Sequence, residues 1–141
     1  MAISIRIFLG ALLLGLVLAA HAANKGKFSS AVMGTEATPT HQIIRPTDIF
    51  SPETPQIVCA WRTEGVHPGT IVKAVWIADD TDGVAPPKHK IEEATQMIPG
   101  PIAGSFSLTR PLRGWPPGKY HVDLYLDHQL VKTVPFTVRL K

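Results

Sequence analysis

The sequence predicts an all-β protein, an antiparallel sandwich of about seven short strands. Apolar and polar residues alternate in several short runs, and turn residues separate these runs roughly every 8 to 12 residues. The chain also contains 13 prolines, which the interior of a helix does not tolerate. This pattern favours an antiparallel sandwich over alternating βαβ units.

The chain begins with the three parts of a secretory signal peptide. Arg6 makes the start basic, an apolar run covers Ile7 to Ala20, and Ala20-His21-Ala22 is a small-residue cleavage site. The apolar run is shorter than the roughly 20 residues that a membrane-spanning helix needs. We therefore predict a signal peptide over residues 1–22, a periplasmic or secreted protein, and no stable membrane insertion after cleavage.

Residues 23–55 are the least regular part, an extended N-terminal segment rich in Ser, Thr and Pro. We predict a first strand over Phe28 to Met33, an extended stretch from Gly34 to His41, and a second edge strand near Gln42 to Ile44. Residues 56–141 are predicted to form the sandwich core of a single domain.

From Gln56 onward the pattern becomes regular. Gln56 to Arg62 and Thr70 to Ala78 read as strands, and the second is β-branched and nearly all apolar, which is typical of a central strand. The lone cysteine, Cys59, lies in the first of these runs. We expect it to be buried as a small hydrophobe, because free cysteine is among the most buried residue types, and an intermolecular disulfide is the alternative. A reactive thiol is disfavoured, because no neighbour in the sequence would lower the pKa of Cys59.

Residues 88–98 are ambiguous between strand and helix. Apolar residues recur there at helical spacing, at Ile91, Ala94, Met97 and Ile98. The neighbouring segments all read as strands, so a strand is favoured and a short helix is the alternative. Gly104 to Thr109 is the next predicted strand.

The last quarter of the chain predicts a strand, a turn and a strand. In the run Gly114 to Tyr120, two prolines fix φ and glycine relaxes it, so the chain turns sharply before the alternating run that ends at Leu126. A second alternating run, Val134 to Leu140, follows the bend at Asp127 to Gln129.

The run Trp115 to Leu124 resembles the start of the penultimate strand in immunoglobulin-like and fibronectin type III-like domains, as found in small bacterial secreted proteins. Leu130-Val131 and Phe136 to Val138 resemble their last strand. The resemblance implies an immunoglobulin-like sandwich in which the hydroxyl of Tyr120 binds backbone just upstream. The paired cysteines of antibody domains are absent, and the resemblance carries no functional residue across.

The charge pattern argues against nucleic acid as a partner. The formal net charge is only +3, and the basic residues are scattered among acidic ones instead of forming a stripe with stacking aromatics. The sequence shows no nucleophile with an adjacent base, no convergent carboxylates and no phosphate-binding glycine loop. We therefore predict that the protein is not an enzyme.

Four residues are candidates for partner binding. His121, Asp123 and Tyr125 share one face of a predicted strand, with neighbours about 7 Å apart, and this face could instead be an ordinary solvated surface. Trp61 could offer an exposed aromatic platform or pack in the core. Core or corner packing is the expected role of the other two tryptophans, Trp76 and Trp115.

Three patterns raise the question of metal binding. Asp80-Thr81-Asp82-Gly83 resembles the start of a calcium loop but lacks the closing glutamate, so a hairpin turn is favoured. His121 and Asp123 could act as ligands. Cleavage after Ala20 would make His21 the N-terminal residue, whose amine and imidazole could chelate copper, as in small periplasmic copper carriers, although no methionine-histidine cluster supports this.

Together these observations predict an exported, non-catalytic binding or structural module without a cofactor. Its expected partner is another envelope or extracellular protein, bound through a sheet face or an exposed edge strand. The alternatives are a periplasmic metal carrier of the copper type and a small enzyme of unknown type.

Overall fold

A computed structural model describes residues 26–140 as two β-sheets that share one hydrophobic core. Its strands are β1 (Lys27–Gly34), β2 (Ile49–Phe50), β3 (Gln56–Glu64), β4 (Thr70–Asp80), β5 (His89–Ile98), β6 (Ala103–Thr109), β7 (Gly118–Leu126) and β8 (Gln129–Val138). The three-stranded sheet has the order β1-β3-β6, and the five-stranded sheet has the order β2-β8-β7-β4-β5. The predicted all-β sandwich is confirmed, with one strand more than expected.

The signal peptide predicted over residues 1–22 lies outside the described residues, and so does His21. Within residues 26–140, no helix is long and apolar enough to cross a bilayer.

Residues 88–98 form a strand, as favoured, and not the alternative short helix. β5 pairs antiparallel with β4 from Thr70 opposite Ile98 to Ala78 opposite His89, and a bulge lies at Trp76 and Ile77. This bulge shifts the alternation on β5, and Met97 points outward with 70% of its surface exposed. The apolar residues of this strand therefore recur at a helix-like spacing for two reasons: the bulge shifts the alternation, and Met97 is apolar although it points outward. β4 lies between β5 and β7, which confirms it as a central strand.

The second edge strand predicted near Gln42 to Ile44 is not there. That stretch makes only an isolated bridge between Ala37 and Ile43, and the short strand in this part of the chain is β2, which pairs parallel with the end of β8. Residues 35–47 instead cross the outer face of the three-stranded sheet, where His41 meets Ser105. This covering explains why Val58 and Ala60 are buried although they alternate with the inward-facing residues of β3.

The core is built around large aromatic residues from both sheets. In the five-stranded sheet, Phe136 contacts both Trp76 and Tyr120, and the rings of Tyr120 and Phe136 are stacked at 5.1 Å between centroids; in the three-stranded sheet, Phe28 contacts Trp61. The Tyr120 hydroxyl donates a hydrogen bond to the carbonyl of Pro116, which confirms the backbone contact implied by the resemblance to immunoglobulin-like domains. Burial raises the pKa of Tyr120 to about 12.

Cys59 is fully buried, as expected. Burial in apolar surroundings disfavours the thiolate and raises the pKa of this thiol to about 12. The folded protein therefore presents no reactive thiol at this position.

Candidate functional site

Three of the four predicted site residues lie together on the outer face of the five-stranded sheet. His121, Asp123 and Tyr125 alternate along β7 on the side away from the core. β7 lies between β4 and β8, so residues from two neighbouring strands flank each of them.

The fourth candidate, Trp61, lies in the core. Its side chain is only 1% exposed, and its ring packs against Phe28, Phe106 and the backbone of Gly104. Of the two roles left open for Trp61, core packing is the one that the structure shows. Trp76 and Trp115 are also buried, as expected.

His121 is held between two carboxylates. Its Nδ1 lies 2.7 Å from Oδ2 of Asp79, and its Nε2 lies 3.2 Å from Oδ2 of Asp123. The hydroxyl of Thr133 donates a hydrogen bond of 2.7 Å to the other oxygen of Asp123. We call Asp79, His121 and Asp123 the acid-histidine-acid cluster. Only the imidazolium can donate to both carboxylates, because a neutral imidazole has one N–H.

The net effect of this environment is to raise the pKa of His121 above its ordinary value. Burial is the largest single influence and lowers the pKa, but the hydrogen bonds and negative charges of Asp79 and Asp123 together outweigh it. The His121 side chain keeps 20% of its surface exposed. The cluster is therefore a charged feature of the sheet face that remains in contact with solvent.

The geometry of the acid-histidine-acid cluster does not resemble a metal site. Both ring nitrogens of His121 already face a carboxylate, and residues 26–140 contain no group of three or more His, Cys, Asp or Glu arranged to hold a metal ion. The stretch Asp80 to Gly83 forms a turn, as favoured, in which the amide of Asp82 binds the carboxylate of Asp80.

Next to this cluster, the same sheet face carries exposed apolar side chains. Ile71 stands opposite Met97 in the β4–β5 pair, and Tyr125 stands opposite Leu130 in the β7–β8 pair. Met97 is 70% exposed and Leu130 is 50% exposed. The ammonium of Lys73 lies 4.4 Å from the centre of the Tyr125 ring. We call Ile71, Met97, Leu130 and Tyr125 the apolar patch.

Ile71, Met97 and Leu130 were missed as site residues. They come from three different strands, and only the pairing registers reveal that they meet on one face. Asp79 was missed for the same reason, because it is 42 residues away from His121. Their outward position within strands was the one signal available in the sequence.

A second polar contact was also missed, on the outer face of the three-stranded sheet. Nδ1 of His41 lies 3.0 Å from the hydroxyl of Ser105. A histidine beside a serine is part of what nucleophilic catalysis needs, together with an acid that orients the imidazole. In the described part of the chain, no carboxylate is bonded to the other ring nitrogen of His41.

No protein-family model matches this chain, and neither does any curated protein sequence. Solved structures do match it. An immunoglobulin-like protein from Pseudomonas aeruginosa aligns with a TM-score of 0.54 and 13% identity, over 84% of this chain and 100% of that one. The alkylpurine DNA glycosylase AlkC from Pseudomonas fluorescens, bound to DNA containing an abasic site analogue, aligns with a TM-score of 0.52 and 13% identity over 84% of this chain.

The match to the glycosylase covers only 32% of that enzyme. A beta-D-glucoside glucohydrolase from Trichoderma reesei also aligns, with a TM-score of 0.43 and 13% identity, over 83% of this chain and 19% of that one. This chain therefore spans about a third and a fifth of the two enzymes, but the whole of the immunoglobulin-like protein. The likeness to the immunoglobulin-like protein from Pseudomonas aeruginosa shows an immunoglobulin-like fold for this chain.

Proposed function

We propose that the protein is an exported, non-catalytic binding module that associates with another envelope or extracellular protein through the outer face of its five-stranded sheet. The observation that carries this proposal is the apolar patch beside the acid-histidine-acid cluster. The outward face of an antiparallel sheet is normally polar, and contiguous exposed apolar surface with a polar rim is typical of protein interaction sites.

The chemistry of the patch suits protein recognition. Burying an exposed aliphatic side chain such as Met97 or Leu130 contributes up to about 1.5–3 kcal/mol to association. Tyr125 offers a large ring with only two side-chain torsions, so it loses little side-chain freedom on binding. Asp123, two residues from Tyr125 on β7, and Lys73, opposite Tyr125 on β4, place charges of both signs beside the patch, which would favour partners with complementary charge.

A free strand edge is the other mode of association that the fold offers. The edge strands of the described sheets are β1 and β6 in one sheet and β2 and β5 in the other. β5 carries Lys90, Glu92 and Glu93, which discourage strand pairing, whereas β6 (Ala103–Thr109) has no charged residue. Addition of a partner strand to β6 is therefore the alternative to docking on the sheet face.

The test uses a photoactivatable cross-linking residue placed at single positions in the full chain, expressed in its own host. Position Met97 reports on the apolar patch, Ser107 on the β6 edge, and Ser29, exposed on β1 at the opposite edge of the three-stranded sheet, is the control. We expect one discrete cross-linked product from position 97 that weakens when Leu130→Asp is added. A product from position 107 alone would establish the edge-strand mode instead. No product, or the same products from position 29, would contradict a protein-binding role.

The mass of the protein recovered in the same experiment tests export. A chain beginning at Ala23 is the expected result. A chain beginning at His21 and carrying copper would favour the metal-carrier alternative, and a chain that retains Met1 would contradict export by signal-peptide cleavage.

A further inference from the structure

A second surface, separate from the apolar patch, has the shape of a small-molecule site. A groove of about 450 Å³ lies where the ends of β4, β5 and β7 meet the segment 111–116. Sites for small ligands usually have volumes of about 300–1,000 Å³ and mostly apolar walls. The larger apolar residues of this wall are Ile91, Pro111, Leu112, Trp115, Pro116 and Tyr120.

One wall of the groove is held in place by hydrogen bonds to residues 52–54. The backbone N–H of Trp115 donates to the carbonyl of Pro52 at 2.8 Å, and its indole N–H donates to the carbonyl of Thr54 at 2.8 Å. Gly114 has a φ of +80°, and a Cβ there would lie 2.8 Å from the Pro52 carbonyl oxygen. Only glycine fits this close approach. The wall is therefore formed before any ligand binds, which reduces the entropy lost on binding.

The permanent charge at the groove is positive. Arg113 and His89 are among the twelve lining residues, which include no Asp or Glu, and of these two only the guanidinium is charged at every ordinary pH. Both side chains are exposed, so they remain hydrated at the groove mouth. Within residues 26–140, the Arg113 guanidinium has no hydrogen bond or ion pair. A guanidinium in this position is well suited to a carboxylate.

Leu112 is an exposed apolar side chain at the groove. It lies between Pro111 and Arg113 on the rim of the groove, and its side chain is fully exposed, with a relative exposure of 104%. A single exposed leucine is ordinary, but here it stands beside an apolar groove and next to the free cation. An alkyl chain in the groove would give this side chain an apolar contact.

We propose that this groove binds a free, single-chain aliphatic carboxylate of medium length. The alkyl chain lies against Ile91, Leu112 and Trp115, and the carboxylate pairs with Arg113 at the mouth. This site is independent of the protein-binding role of the sheet face, because the two surfaces share no residue.

The first test is a titration of the isotopically labelled protein with saturated carboxylates of 6 to 12 carbons, each below its micelle-forming concentration, followed by NMR. We expect chemical-shift changes centred on the Trp115 indole N–H and the Ile91 and Leu112 methyls. Affinity should rise about fourfold for each added methylene until the groove is filled. The primary alcohol of equal length should bind about fivefold more weakly, because it lacks the charge.

Three variants at exposed positions complete the test. Arg113→Gln should remove the preference for the carboxylate over the alcohol without lowering the affinity for the alcohol. Leu112→Ser should lower the affinity for both ligands. Arg45→Gln removes one exposed arginine outside the groove as a matched control, and it should change neither affinity. The proposal is overturned if affinity does not depend on chain length, if the shifts centre on the apolar patch, or if Arg45→Gln has the same effect as Arg113→Gln.

Discussion

His121 shows how one residue gains its properties from neighbours that are distant in the sequence. Its position on the outer face of a strand could be predicted from the alternation of Tyr120 to Leu126. The carboxylate of Asp79 could not, because it depends on the end of β4 approaching His121 on β7. Only the three-dimensional pairing turns a row of polar residues into an acid-histidine-acid cluster.

The raised pKa of His121 makes a pH-dependent contribution to stability. Its ordinary value is 6.5 and the folded value is higher. The contribution is therefore complete below about pH 6.5 and is lost as the pH rises through the folded value. Because the side chain is partly hydrated, we expect an effect below about 1 kcal/mol. Urea unfolding at pH 6 and pH 9 should show wild type losing more stability than His121→Gln between the two values. Equal losses would contradict this role.

Tyr120 is the second residue whose role can be tested alone. Replacing it with Phe removes the hydroxyl that binds the Pro116 carbonyl and leaves the ring packed on Phe136. We expect the free energy of unfolding to fall by about 1 kcal/mol. Tyr125→Phe is the matched control, because Tyr125 lies on the outer face and is only half-buried. Equal effects of the two substitutions on chemical unfolding would show that the corner hydrogen bond contributes nothing specific.

At the scale of elements, four strands were predictable to within two residues, whereas β5 was ambiguous and β8 begins at Gln129, before the predicted Val134. The boundaries of β3, β4, β6 and β7 follow from alternating or β-branched runs. β2 has only two residues, so it offers no period to read. The segment 35–47 contains apolar residues such as Ile43, which suggest a strand. In the structure these residues cover the outer face of the three-stranded sheet.

The position of segment 35–47 over the sheet predicts a steric coupling between Gly34 and Ile43. A Cβ at Gly34 would collide with the γ2 methyl of Ile43. We expect Gly34→Ala to destabilise the protein by about 1–3 kcal/mol through overpacking. Ile43→Ala removes the colliding methyl, so adding it to Gly34→Ala should cost less than it does in wild type. A double-mutant cycle on the free energy of unfolding measures the coupling, and strictly additive effects would show that the segment shifts freely.

At the scale of the whole molecule, the two sheets depend on one shared core. The immunoglobulin-like sandwich could be predicted because strand spacing and the corner at Tyr120 are properties of the chain itself. The functional surfaces could not, because the apolar patch and the groove each combine residues from at least three strands or loops. Alternation shows which side chains point outward, but not which of them become neighbours.

Cys59 reports on the integrity of this core. It is fully buried and its pKa is raised from 9.0 to about 12. At a given pH near neutrality, this lowers the thiolate fraction about a thousandfold. A water-soluble disulfide reagent should therefore modify the native protein only through opening of the core, and the rate should rise with urea in parallel with the unfolded fraction.

The control for this prediction is a second cysteine at an exposed position. Ser29→Cys, on the outer strand β1, should react at once in the native protein while Cys59 in the same molecule does not. Because the reaction of Cys59 requires global opening, substitutions that lower stability, such as Gly34→Ala, should accelerate it by the factor that their loss in unfolding free energy implies. Rapid reaction of Cys59 in the stable native protein would mean that the two sheets separate locally, without unfolding of the whole sandwich.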